Sequence, residues 1–198
     1  AHQPRAAADL MADAPARQRL AYDEFMAHQL TLGLARARLK KAAGRPSVST
    51  GLLRRAALAS LPYQATSAQL RSIDEIAVDM GAASRMNRLL QGDVGSGKTL
   101  VAFVALLIAV ESKGQGVLMA PTEILARQHL EGLRPLAQAA GVCVALLTGR
   151  DKGKERLKKL QALQTGQTDI LIGTHAVFEP DVAFCDLRLV VVDEQHRF

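Results

Sequence analysis

The eight residues GDVGSGKT, Gly92 to Thr99, constrain this chain more than any other stretch. They satisfy the pattern G-x-x-x-x-G-K-[ST], with the strand-like RLLQ (88–91) before them and the apolar run LVAFVALLIAV (100–110) after. That context predicts a strand, a glycine-rich loop and a helix in immediate succession. Gly92, Gly95 and Gly97 admit backbone angles and a close approach that a Cβ would forbid. The loop Gly92, Asp93, Val94, Gly95, Ser96 and Gly97, with the start of the helix, then presents N–H groups to an anion such as a nucleotide β-phosphate. Lys98 adds a full charge within reach of β- and γ-phosphates, and the Thr99 hydroxyl can ligate Mg²⁺.

From residue 66 helix-like and strand-like segments alternate. SAQLRSIDEIAVDM, TEILARQHLEGLRPLAQAA and KERLKKLQAL read as helices, and GVLMA, VCVALL, DILIG and LRLVVVD as strands. Short strands that are apolar on both faces and separated by helices predict an α/β fold, a parallel sheet with helices on both faces. Ligands of such sheets gather at the carboxyl ends of the strands. The last strand delivers Asp193 and Glu194 to its tip. Beside a phosphate cradle, Asp193 would be the second protein anchor of the cation held by Thr99, and Glu194 would orient and deprotonate an attacking water.

The charge is unevenly placed. Residues 1–60 carry ten basic and four acidic side chains, and residues 61–198 carry fifteen of each, so the whole net charge of +6 lies in the first sixty residues. It is concentrated in ARARLKKAAGRP (35–46), which either tracks a polyanion or forms a solvated helix face. PARQRLAYDEFMAHQLTLGLARARLKK reads as one long helix, ended by Gly44-Arg45-Pro46, with a shorter helix GLLRRAALASLP behind it. Cys143 and Cys185 lie far apart without metal-ligand spacing and read as reduced core thiols of a cytosolic protein. The longest apolar run, Leu100 to Val110, is too short to cross a bilayer, so no membrane partner is expected.

Four ordered segments, LLQGDVGSGKTLVA, LMAPTEILARQH, ILIGTHAVF and LVVVDEQHRF, resemble the first motor domain of superfamily 2 helicases. The match is most specific to the RecG type of branch-migrating DNA helicase, whose form of the DExH box is DEQH. The resemblance implies a RecA-like P-loop NTPase domain over residues 61–198 and a helical connector over 1–60. It implies ATP and Mg²⁺ as cofactors, with Lys98, Asp193 and Glu194 catalytic and Thr99 and Asp193 on the metal. Gln69 is implied to read adenine, although Thr66-Ser67-Ala68-Gln69 is equally a capping box opening a helix. Tyr63 is either a stacking or a packing aromatic.

DNA contacts are implied at Pro121 and Thr122, at Thr174 and His175, and at Arg150, Lys152 and Lys154. Arg156, Lys158 and Lys159 extend the last group or form a solvated face. Gln195 and His196 are implied to couple the nucleotide to a second motor domain, which this chain would lack together with a wedge domain before residue 1. The partner implied is branched DNA, a fork or Holliday junction, bound by a monomeric parent in the bacterial cytoplasm at the nucleoid. Two other readings stay open: a transcription-repair coupling factor relative, which DEQH disfavours, and a P-loop switch with no nucleic-acid role.

Overall fold

A computed structural model describes Met11, residues 14–41 and residues 43–195. It divides into two compact units, 1–44 and 45–198. In the first unit α1 (Pro15–Lys41) forms the long helix expected, with proline at the first helical position, where its missing N–H costs nothing. Phe25, Leu30 and Leu34 stand exposed along it. The side chains of Arg36, Arg38, Lys40 and Lys41, central to the expected basic stretch, lie outside the described residues.

The second unit contains α2 (Leu52–Ala59), α3 (Ser67–Gly81), α4 (Lys98–Glu111), β1 (Gln115–Met119), α5 (Glu123–Ala140), β2 (Val144–Leu147), α6 (Gly153–Gln164), β3 (Ile170–Gly173) and β4 (Leu187–Val192), with a 3-10 turn at His175–Phe178. The division between the units lies at Gly44 rather than at residue 60 because α2 packs into the second core, where Ala57 is fully buried. Loop 45–51 is bound to the same core by Glu111. That carboxylate accepts from Ser49 Oγ, Thr50 Oγ1, Gly51 N and Leu52 N, and so caps α2 from another helix.

All strand pairs are parallel, in the order β2-β3-β1-β4. The two sheet faces alternate along each strand, as the pleat requires. Leu118, Ile170, Ile172 and Leu146 meet α4 and α5 on one face, while Val117, Met119, Leu171 and Leu147 meet Leu160 and Leu163 of α6 on the other. Helix α4 is apolar all round because it is enclosed all round, with Phe103, Val104, Leu106 and Leu107 fully buried. β4 forms a sheet edge, and its Val190 and Val192 are 43% and 40% exposed.

Two expectations need correction. RLLQ (88–91) pairs with no described strand. Arg88 is held instead by Glu75 and Asp79 of α3, at 2.6 and 2.8 Å, and Leu90 packs on the core while Leu89 is 68% exposed. An apolar run becomes a strand only beside a hydrogen-bonding neighbour. Cys143 and Cys185 are free thiols but exposed, not core residues, because both stand at the approach to a strand rather than within it. Among the described residues no helix is long and apolar enough to cross a membrane.

Candidate nucleotide and nucleic-acid site

The topology decides which residues can meet. α4 is joined to β1 by a tight turn at 112–114 and packs along β1 and β4, so the two elements run in opposite senses. At about 1.5 Å per helical residue and 3.3 Å per strand residue their lengths are similar. The N-terminus of α4, with Lys98 and Thr99, therefore lies at the carboxyl edge of the sheet. Every other candidate lies at that edge as well, because every strand is parallel: Thr148–Lys152 after β2, Thr174 and His175 after β3, Pro121 and Thr122 after β1, and Asp193 and Glu194 after β4.

Within the glycine-rich loop Gly95 and Gly97 take φ of 81° and 80°, a region costly for any residue with a Cβ. A Cβ on Gly97 would also collide with the Gln69 amide. Lys98 Nζ donates to the carbonyls of Gly92 and Asp93 at 2.8 and 2.9 Å, and Ser96 N donates to Asp93 O at 3.1 Å. The ammonium therefore sits inside the loop it is expected to serve, and Val94 is fully exposed at the tip.

Both ends of Gln69 are engaged. Its Oε1 accepts from Thr66 N at 2.9 Å while Thr66 Oγ1 accepts from Gln69 N, which realises the capping box. Its Nε2 donates to Ser96 O at 2.9 Å, so the same side chain braces the phosphate loop. To read adenine it would have to exchange these partners.

Asp193 is held from two sides. Its N–H donates to Met119 O at 2.8 Å, extending the β1–β4 ladder by one residue. Its Oδ2 lies 2.8 Å from His129 Nε2, on α5, with the two side chains 27% and 12% exposed. Glu194 then adopts φ of 50°, which turns the chain sharply just after the metal-ligand candidate. For a residue other than glycine such a conformation costs on the order of 1–3 kcal/mol and persists where surroundings enforce it. Among the described residues no three His, Cys, Asp or Glu side chains group to hold a metal. Mg²⁺ needs no such group when a hydroxyl, one carboxylate, phosphate oxygens and water complete its shell, and a hydroxyl and a carboxylate are what Thr99 and Asp193 would offer it.

The nucleic-acid candidates separate. Thr122 is exposed and caps α5 by accepting from Leu125 N at 3.3 Å. Glu123, next to it, pairs with Arg127 at 2.8 Å and with the largely exposed Arg150 at 3.1 Å, which draws the loop after β2 toward the start of α5. Pro121 is half-buried, and His175, Lys152 and Lys154 are exposed. Thr174 is only 5% exposed, turned inward at the end of β3. Arg156 and Lys159 are engaged by acidic side chains. Arg156 bonds Glu179 and Asp181 at 2.7 and 2.8 Å, and Lys159 bonds Asp151 at 2.5 Å. Burial pushes the Asp151 carboxyl up, but bonds from Lys159 and Thr148 outweigh it and hold the group below the usual range. Gln195 is exposed beyond the tip, and His196 lies outside the described residues.

Sequence reasoning missed His129, Gln115 and Glu111. Each is a polar residue on an otherwise ordinary helix or strand whose partner is remote in the chain, so no local spacing marks it.

The model of the DEAD/DEAH box helicase family matches residues 66–198. The chain is 46% identical to the ATP-dependent DNA helicase RecG of Pasteurella multocida (strain Pm70), covering 93% of the chain and 27% of that relative. It is 49% identical to the same-named protein of Bacillus subtilis (strain 168), over 92% and 27%. The chain thus spans about a quarter of the length of these relatives. A solved structure, "Structure of RecG bound to three-way DNA junction", superposes with a TM-score of 0.81 at 45% identity, covering 92% of this chain and 25% of that one. The chain belongs to the DEAD/DEAH box helicase family, and within it is similar to the RecG type that its four motifs pointed to.

Proposed function

We propose that this chain forms the nucleotide-binding lobe of an ATP-driven DNA helicase acting on branched DNA, forks and Holliday junctions, in recombination and repair. The observation that carries the proposal is the parallel sheet, which gathers the phosphate loop, the acidic tip of β4 and the starts of α5 and the 3-10 turn at one edge. The RecG relatives and the RecG structure with a three-way junction support branched DNA as the partner. When bound, Mg²⁺·ATP supplies the transferable phosphoryl group and a cation that neutralises its charge. Gly92–Thr99 would cradle the phosphates, and Lys98, which donates to two loop carbonyls, would find stronger acceptors in charged phosphate oxygens. Thr99 and Asp193 would hold the ion, and Glu194 would orient a water and take its proton. Pro121, Thr122, Arg150, Lys152, Lys154 and His175 form the DNA side, where phosphate contact gives salt-sensitive, sequence-blind affinity. Gln195 and His196 would couple the nucleotide to a second motor domain, in a monomeric bacterial cytoplasmic protein associated with the nucleoid.

The test is titration of the chain with a fluorescent ATP analogue in the presence and absence of Mg²⁺. Lys98→Ala should weaken binding about tenfold or more, a loss of at least ~1.4 kcal/mol. In the longer protein, a three-way junction should stimulate phosphate release. Equal binding by Lys98→Ala, or phosphate release indifferent to DNA, would remove the assignment.

A further inference from the structure

The His129–Asp193 bond joins two places that the proposed function treats separately. His129 lies roughly two turns into α5, the helix whose first residues, Thr122 and Glu123, stand at the expected DNA edge and whose Glu123 also holds Arg150. Asp193 is the expected anchor of the cation. A carboxylate oxygen can only accept, so His129 Nε2 carries the proton and donates it to Oδ2 at 2.8 Å. The backbone of Asp193 is already fixed by Met119 O. What remains free without His129 is the rotation of the carboxyl group, and that rotation decides where Oδ1 points.

We propose that His129 is a positioning residue: it fixes the Asp193 carboxylate, leaves Oδ1 to the cation, and makes the seating of α5 part of the nucleotide site. This rests on the nucleotide reading above and goes beyond it in naming the element through which the DNA edge reaches the metal ligand. Three features support it. The pair is mostly withdrawn from solvent, at 12% and 27% side-chain exposure, so the bond is less exchanged with water than a surface pair. α5 packs into the core through Ala126, Leu133, Leu136 and Ala137, which share the helix face of His129, so the seating of that face and the position of the imidazole are set together. The two side chains meet across elements that do not neighbour in sequence, so the contact is not a product of local helix geometry.

The experiment compares nucleotide binding by the whole chain with Mg²⁺ and with EDTA, using a fluorescent ATP analogue, and records thermal melting beside it. His129→Leu should reduce the gain in affinity that Mg²⁺ confers by about 10–100-fold, the usual cost of losing a hydrogen bond to a metal ligand, while binding in EDTA stays as in the unsubstituted chain. His129→Gln, which returns an N–H donor at similar reach, should restore most of that gain. In an Asp193→Asn background His129→Leu should change nothing further. A merely structural histidine predicts instead a lowered melting temperature and equal losses with and without Mg²⁺, which overturns the proposal. An undiminished Mg²⁺ gain in His129→Leu overturns it as well. If the unsubstituted chain itself shows no Mg²⁺-dependent binding, the nucleotide reading falls and this proposal with it.

Discussion

Replacing Gln115 with alanine removes four hydrogen bonds from one buried point. Its Nε2 donates to Leu163 O and Thr168 O at 2.8 and 2.6 Å, and its Oε1 accepts from Cys185 N and Asp186 N at 2.7 and 3.1 Å. The side chain is 4% exposed, and it ties the start of β1 to the α6–β3 turn and to the lead-in of β4. Truncation leaves two carbonyls and two N–H groups without that partner. A stranded buried group costs about 1–3 kcal/mol. The carbonyls keep a second lone pair and the N–H groups are only partly buried, so the lower end applies and the total comes to roughly 2–4 kcal/mol. With a urea slope of about 2 kcal/mol/M, the denaturation midpoint should fall by ~1–2 M. Gln115→Glu should do no better, because a carboxylate still accepts from both N–H groups but faces two carbonyls it cannot donate to. A midpoint change for Gln115→Ala within the error of the measurement would refute the reasoning.

Four further outcomes are expected. Burial pushes the Glu111 carboxyl up, yet bonds from Ser49, Thr50, Leu52 and Gly51 outweigh it and hold the group below its ordinary value. A depressed value means stability that is full above the unfolded pKa and lost as pH falls through the folded one. The advantage over Glu111→Gln, about 1 kcal/mol at neutral pH, should therefore shrink below roughly pH 4 in urea melts. Arg150→Ala should lower DNA affinity and reduce its salt slope by about one ion. Arg156→Ala should leave the slope unchanged and lower the melting temperature, since its guanidinium is engaged by Glu179 and Asp181. Glu194→Gln should keep nucleotide binding and lose phosphate release in the longer protein; normal turnover there would remove the water-activating role.

The parallel α/β fold was legible because its signals are local. Doubly apolar strands, alternating helices and GDVGSGKT each carry their meaning within a few residues, and the parallel sheet then follows from chain connectivity. RLLQ misled because an apolar run specifies burial but not a hydrogen-bonding neighbour, and here Arg88 is drawn to α3. No local spacing shows that Thr174 closes inward at its strand end, or that Arg156 meets acidic partners more than twenty residues on. The boundary near residue 60 followed the extent of the family resemblance, whereas packing of α2 draws residues 45–60 into the second unit. For Gln69 the sequence permitted two roles, and the structure shows the cap realised with the phosphate loop braced by the same amide. His129 shows the remaining gap most plainly: its role depends on the β1–β4 pairing that brings Asp193 beside α5, which no spacing in the sequence encodes.

The most direct test is a crystal structure of the chain with Mg²⁺ and a non-hydrolysable ATP analogue. The Thr99 hydroxyl and the Asp193 carboxylate should share one ion's coordination, directly at about 2.0–2.1 Å or through a single water. An ion seated on Thr99 with Asp193 two water layers or more away would contradict the account, whatever the family resemblance.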